Sequence, residues 1–176
     1  PLDGVDVREG EMAGLFAMGE GEIPFSQGIY EQKAPGRLTQ LMTLLVAYEN
    51  LDLNTSVTIE QEDVPYGLNK TCGLASGNII SVRQLLNAVA VYSAEDACMA
   101  LARAGAGSES AFVDRMNSKA MELGMTNTNY VNPTGAQDEN QHTSVYDTYL
   151  LLNAILDQTD LVNALGTASY TLDYTR

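Results

Sequence analysis

The sequence predicts an α+β fold, in which two N-terminal antiparallel strands precede a mostly helical region. Residues 11–18 and 23–30 are short apolar segments on either side of a Gly- and Glu-rich turn at 19–22. Segments with helical apolar spacing follow, and alternation over 169–174 indicates a final strand. Because such a sheet needs further strands, we expect residues 1–176 to form a single domain whose C-terminal strands are missing or incomplete.

The middle of the chain contains six predicted helices. In the first, Leu38, Leu41, Leu45 and Tyr48 recur every three or four positions, so they share one helical face. Ser81 is a candidate N-cap for the second helix, and Thr143 or Ser144 for the fifth. Residues 55–59 resemble a short strand, and 60–81 are rich in loop-forming residues. The predicted helices cover about residues 38–50, 82–92, 94–104, 109–123, 145–157 and 160–165.

The charge balance narrows the range of partners. The chain carries 23 acidic and 9 basic residues, a formal charge of −14. A field of this sign repels phosphate backbones and anionic lipid, so nucleic acid is not an expected partner. No apolar run reaches the ~18 residues that cross a bilayer, so we do not expect a membrane-spanning segment. The acidic run Glu60, Glu62 and Asp63 is interpreted as a solvated loop.

The metal-ligating residue types are sparse. The two cysteines, Cys72 and Cys98, lack the spacing of a metal site, and His142 is the only histidine. Asp138 and Glu139 before His142 are interpreted as a polar turn. We therefore expect no metal site and no cofactor. In an oxidising compartment, Cys72 and Cys98 could form a disulfide. The alternative interpretation is that Cys98, in an apolar helical stretch, is a small residue of the hydrophobic core.

Several separate blocks of sequence carry a family resemblance. Residues 34–43, Ala-Pro-Gly-Arg-Leu-Thr-Gln-Leu-Met-Thr, resemble the Ala-Pro-Ala-Ser-x-Thr-Lys-Leu-Met-Thr helix start of serine D-alanyl-D-alanine carboxypeptidases, the low-molecular-mass penicillin-binding proteins. Residues 93–97 are similar to that family's Ser-x-Asn-Asp-Ala segment. The blocks at 111–128, 132–135 and 142–147 continue the resemblance in the same order. It covers roughly 11–174 and implies a β-lactamase/transpeptidase-like fold.

The resemblance implies a reaction that this chain lacks the groups to perform. The family uses three motifs, Ser-x-x-Lys, Ser-x-Asn and Lys-Thr-Gly, in which the first serine attacks a D-Ala carbonyl and the lysine accepts its proton. Arg37 stands at the position of the nucleophile and Gln40 at that of the lysine. Arginine has no nucleophilic oxygen, and a glutamine amide cannot act as a base. Thr39 lies about 100° around the helix from Gln40, so it is a poor substitute nucleophile.

The second motif is half retained. Ser93 matches its serine and is the one catalytic motif residue kept, whereas Glu95 replaces the asparagine. A carboxylate there would repel a substrate that ends in a carboxylate. Ser93 fits equally well as the N-cap of the helix at 94–104. Thr39 and Tyr92 are candidates to line the same groove.

The third motif has no counterpart at the expected place. Lys70-Thr71-Cys72-Gly73 resembles Lys-Thr-Gly in letters, but it comes too early in the chain and is interpreted as coincidence. In the family this motif lies on a strand that would follow Arg176.

Three functions are consistent with these observations. The favoured one is a catalytically impaired carboxypeptidase-like domain of the bacterial cell wall, which binds or scaffolds peptidoglycan stem peptides or an envelope protein. The second is an active D-Ala-D-Ala carboxypeptidase that acylates through another residue. The third is an interaction module that forms a homodimer through an unpaired sheet edge. The family resemblance implies an extracytoplasmic location, in the periplasm or at the cell surface.

Overall fold

The computed structural model describes residues 8, 11–17 and 23–175 of the chain. The predicted turn at 19–22 and the last residue of the first predicted strand lie outside the described residues. All six predicted helices are present, with bounds that differ from the expected ones by at most two residues. Helices α1 to α6 span Thr39–Asn50, Val82–Tyr92, Glu95–Ala106, Glu109–Glu122, Val145–Leu156 and Thr159–Leu165.

Two short antiparallel strand pairs accompany the helices. β1 (Ala13–Leu15) pairs with β2 (Phe25–Gln27), which confirms the predicted antiparallel start of the chain. β3 (Ser56–Thr58) pairs with β4 (Ile79–Ser81). The sequence predicts β3 but not β4, which lies at the end of the stretch interpreted as loop-rich. These elements give a mixed α+β architecture, as expected.

The predicted strand at 169–174 is wrong. These residues follow α6 without regular structure, and only Thr175 forms a bridge, with Ile79 of β4. Two backbone hydrogen bonds, of 2.9 and 3.1 Å, join this pair. The alternating pattern misleads because Leu172 and Tyr174 pack against the core without making a ladder of backbone hydrogen bonds.

Helix α3 packs against α1, α2 and α4. Its inward residues include Ala97, Ala100 and Ala102, whose small side chains let neighbouring helices approach closely. Leu101 and the large Phe112 of α4 fill the space around them and are fully buried. Helix α1 contacts all five other helices, so the core is built around α1 and α3 together.

Side-chain caps define where three of the helices begin. Ser81 accepts a hydrogen bond from the backbone N–H of Gln84, which reciprocates in a capping box, and this confirms Ser81 as the N-cap of α2. Ser108 caps α4 through its own side-chain oxygen. Ser144, rather than Thr143, caps α5. Thr143 is instead paired through its backbone with Lys33.

Asp63 corrects the expectation of a solvated acidic loop. It is 1% exposed, and both of its carboxylate oxygens accept hydrogen bonds from the guanidinium of Arg103, at 2.8 and 2.7 Å. Arg103 also donates a hydrogen bond to the backbone carbonyl of Thr58. The hydrogen bond to Asp63 raises the pKa of the Arg103 guanidinium. Glu60 and Glu62 are exposed as expected. The pair ties the loop after β3 to the end of α3.

Within the described part of the chain, no helix combines the length and the apolar character needed to cross a bilayer.

Candidate functional site

Three segments that carry the motif positions meet at one place, called here the Ser93 junction. They are the start of α1 with the 3₁₀ turn before it (residues 36–40), Ser93 between α2 and α3, and the loop 132–135. Gly135 has a φ of +83°, and its Cα packs directly against the backbone of Gly36. Thr43 of α1 donates a 2.6 Å hydrogen bond to the carbonyl of Pro133. The loop is therefore held tightly against α1.

Gln40 connects all three segments. Its side chain is 4% exposed, and its amide nitrogen donates to the carbonyl of Thr134 at 2.9 Å and to that of Ser93 at 3.4 Å. Both amide hydrogens are used in these two bonds. Gln40 thus supplies two neutral hydrogen bonds where the family resemblance places a lysine, and it has no basic lone pair to offer.

Arg37 lies at the surface of the junction. It occupies the middle of the 3₁₀ turn Gly36–Leu38, immediately before α1, and its residue is exposed. A guanidinium stays protonated at physiological pH, so the position offers a positive charge and hydrogen-bond donors but no nucleophile.

Ser93 occupies a conformation that is unusual for its residue type. Its φ of 58° and ψ of 42° lie in the left-handed region, and it is the one non-glycine residue with positive φ among those the structure describes. Such a conformation costs about 1–2 kcal/mol for a residue with a Cβ. Strained backbone of this kind is concentrated at functional sites. Ser93 ends α2, and Ala94 is the N-cap of α3, so the prediction of Ser93 as the N-cap of the helix at 94–104 is wrong.

The local sequence cannot separate these two roles for Ser93. Serine is favoured at an N-cap, and acidic residues follow directly, as at many helix starts. The structure uses these acidic residues differently, because the first turn of α3 faces the loop before β4. Glu95 accepts a hydrogen bond from the backbone N–H of Asn69, at 2.8 Å. Asp96 accepts from the backbone N–H groups of Cys72 and Leu74, at 3.0 Å each.

Glu95 is therefore engaged as an anchor. It is buried, and its carboxylate holds the backbone of the 69–74 loop against α3. An asparagine could make a similar contact only through its side-chain oxygen and without the charge that strengthens it. The position that the family resemblance assigns to a neutral amide thus has a structural function in this chain.

The two candidate groove residues differ in their placement. Thr39 is fully buried, and its hydroxyl has no hydrogen-bond partner among the described residues, so it lies beneath the surface of the junction and does not line a groove. Tyr92 is exposed and lines a cavity beside Ser93. The ammonium of Lys70 lies 4.3 Å from the centroid of the Tyr92 ring, a cation–π contact.

Sequence reasoning misses the proximity of the Lys70 loop. The Lys-Thr-Cys-Gly run at 70–73, interpreted as coincidence, does not form a strand. It nevertheless packs beside the junction, because the carbonyl of Lys70 accepts a 2.7 Å hydrogen bond from the backbone N–H of Glu95. In the sequence, this contact is indicated only by the acidic residues Glu95 and Asp96, whose carboxylates accept hydrogen bonds from the backbone of the 69–74 loop.

The cysteines are both free thiols, so the disulfide considered from the sequence is not formed. Cys98 is buried in the core, as expected. Burial, reinforced by the neighbouring carboxylate of Asp96, raises the pKa of the Cys72 thiol to about 12. No cluster of three or more metal-ligating side chains occurs in the part of the chain that the structure describes.

The fold and the junction together define the class of this domain, that of the penicillin-binding proteins. The structure of the D-alanyl-D-alanine carboxypeptidase DacD from Francisella tularensis matches with a TM-score of 0.79 and 30% identity, over 84% of this chain and 37% of that one. Penicillin binding protein 6B from Escherichia coli matches with a TM-score of 0.74 and 30% identity, over 78% and 46%. These matches confirm the predicted β-lactamase/transpeptidase-like fold.

The sequence comparisons place the chain within one family. A model of the D-alanyl-D-alanine carboxypeptidase family matches residues 13–173. The D-alanyl-D-alanine carboxypeptidase DacF of Bacillus subtilis is 31% identical over 165 residues, which cover 91% of this chain and 42% of the relative. The chain therefore belongs to the D-alanyl-D-alanine carboxypeptidase family. It spans less than half the length of DacF.

Proposed function

We propose that this domain is a non-acylating member of its family, which binds or scaffolds at the bacterial cell wall without covalent catalysis. The observation that carries the proposal is the state of Gln40. Its side chain is buried, and its amide nitrogen donates hydrogen bonds to the carbonyls of Ser93 and Thr134, at the position where the reaction needs an amine. Arg37, at the position of the nucleophile, offers no oxygen that could form an ester.

The other polar groups of the junction do not replace the missing pair. The Ser93 hydroxyl makes no hydrogen bond to any described side chain, so no general base is positioned to activate it. The Thr39 hydroxyl is fully buried and cannot reach a substrate. Acylation through another residue, the alternative of an active carboxypeptidase, therefore has no support in the contacts of these residues.

The family suggests the setting of this function. Peptidoglycan is the substrate on which D-alanyl-D-alanine carboxypeptidases act, so we propose an extracytoplasmic location and stem peptides or an envelope protein as partners. Binding without turnover would use the retained architecture of the junction, in which Arg37 presents a positive charge at the surface.

Labelling with a fluorescent penicillin tests the proposal directly. The intact protein should show no covalent label under conditions that label an active serine carboxypeptidase to completion. Arg37→Ser alone should also stay unlabelled, because a hydroxyl without a neighbouring amine lacks a proton acceptor. The double variant Arg37→Ser, Gln40→Lys restores the nucleophile and the amine about one helical turn apart, so label on this variant but not on the unmodified protein would identify these two positions as the block to acylation.

Two results would contradict the proposal. One is stoichiometric covalent labelling of the unmodified protein, and the other is release of D-Ala from a peptide ending in D-Ala-D-Ala. Either would favour the active carboxypeptidase instead. Melting curves of each variant would show that the fold is retained, since the ammonium introduced by Gln40→Lys could donate to the same two carbonyls that accept from the glutamine amide.

A further inference from the structure

A cavity of about 630 Å³ lies beside the Ser93 junction. It is lined by the C-terminal half of α2, by Thr71 and Cys72 of the loop before β4, and by the irregular segment after α6, and it is open to solvent. This segment is the one whose predicted strand does not form. The volume falls within the range of small-molecule sites in proteins.

The wall of this cavity carries no charged side chain. Among the nearby charges, the ammonium of Lys70 lies over the Tyr92 ring and the carboxylate of Asp96 accepts from the backbone of the 72–74 loop. Asp173, between the lining residues Leu172 and Tyr174, is exposed and is not part of the wall. Because no charged group lines the wall, an ionic ligand would give up part of its hydration without gaining a direct partner of opposite charge, so a neutral ligand is favoured.

Three tyrosines, Tyr92, Tyr170 and Tyr174, contribute aromatic rings to the wall. Tyr92 and Tyr170 are 49% and 41% exposed, so both have surface available for a ligand. A tyrosine ring is apolar on its faces and polar at its hydroxyl, which suits a ligand that alternates apolar and polar surface.

Polar groups of both kinds accompany the rings. The hydroxyls of Thr71 and Ser169 can donate and accept hydrogen bonds. The side-chain nitrogen of Asn87 donates to the carbonyl of Arg83, one turn earlier in α2, which leaves its oxygen as the acceptor for a ligand. A purely apolar ligand would bury these groups unpaired, whereas a ligand rich in hydroxyls would satisfy them.

From this combination we propose that the cavity binds an uncharged saccharide, which stacks on the tyrosine rings and exchanges hydrogen bonds with the hydroxyl and amide groups. A pyranose ring presents apolar C–H faces and equatorial hydroxyls, the two kinds of surface that the wall can match. This binding is independent of acylation, because none of Arg37, Gln40 or Ser93 lines the cavity.

Calorimetric titration of the intact protein with N,N′-diacetylchitobiose, and separately with cellobiose, tests the proposal. We expect saturable binding of at least one of these sugars. Tyr170→Ser should weaken it about tenfold by removing the stacking surface, while Tyr170→Phe, which keeps the ring, should weaken it much less. Tyr66→Ser is the matched control, because Tyr66 is fully exposed and lies outside the cavity.

Absence of binding to both sugars at millimolar concentration would overturn the proposal, as would equal affinities of the Tyr170→Ser and Tyr66→Ser variants. If Tyr170→Ser does not melt cooperatively, Thr71→Trp replaces it, since a bulky ring at this exposed loop position should fill the cavity and abolish binding. Penicillin labelling of the same samples reports on the proposed function separately, so failure of one proposal does not imply failure of the other.

Discussion

At the scale of single residues, buried polar side chains connect loops of this domain to its helices. Asp63 and Gln40 are both almost completely buried, and each bonds to a partner far away in the chain. The motif resemblance singles out Gln40 from the sequence alone. Asp63 cannot be found in this way, because its partner Arg103 is 40 positions away and an acidic run normally indicates solvent exposure.

The Arg103–Asp63 pair gives a prediction about stability. Arg103→Met should lower the free energy of unfolding by about 3 kcal/mol, because it leaves the Asp63 carboxylate buried without its partner. Arg83→Met is the matched control, since the Arg83–Asp160 contact of 3.5 Å joins two half-exposed side chains and should be worth less than about 1 kcal/mol. Urea denaturation of both variants measures the difference, and equal losses would contradict the prediction.

At the scale of elements, the helices were predictable and the connections were not. Apolar periodicity and the Ser81 cap are local signals, so they place the helices within two residues. The roles of Ser93 and of the segment 169–174 depend on contacts with other elements. A serine before two acidic residues predicts an N-cap, but the packing of α3 against the 69–74 loop redirects those acids and leaves Ser93 to end α2.

The loop 132–135 provides a prediction at this scale. Gly135→Ala should destabilise the protein by about 3 kcal/mol or more, because its φ of +83° is unfavourable for alanine and the added methyl would collide with the backbone of Gly36. Gly124→Ala, at a φ of +75° with no atom within 4 Å of the added methyl, should cost only about 1 kcal/mol.

Thermal or chemical unfolding of these two glycine variants would separate backbone strain from close packing. Similar losses in both would show that strain alone accounts for the effect. That outcome would remove the evidence that the loop is pressed against the start of α1.

At the scale of the whole molecule, the family and the fold could be predicted because several motif blocks occur in one order along most of the chain. The site was only partly predictable. The resemblance identifies Arg37, Gln40, Ser93 and Glu95, but it cannot show that Glu95 anchors a loop or that Lys70 lies beside Tyr92. These contacts arise from the fold of a loop without regular structure, for which sequence periodicity carries no information.

Association through a sheet edge remains a prediction for the 176-residue chain. Within the described residues, β1 and β2 form a two-stranded sheet without a third strand, and Leu15 is exposed at 47%.

We expect dimers at micromolar concentration in analytical ultracentrifugation, because unpaired strand edges recruit other chains. Leu15→Lys should shift the distribution to monomer, whereas Met121→Lys, at an exposed position on α4, should not. A monodisperse, cooperatively melting monomer of the unmodified chain would contradict this expectation.

The position of Cys72 beside Asp96 has a consequence for the durability of the protein. With its pKa raised to about 12, the Cys72 side chain is almost entirely in the thiol form at pH 7. Peroxides and disulfide-forming reagents attack the thiolate form, so they would find almost no target there. We therefore expect the free Cys72, although its side chain is only partly buried, to react slowly with such reagents at neutral pH.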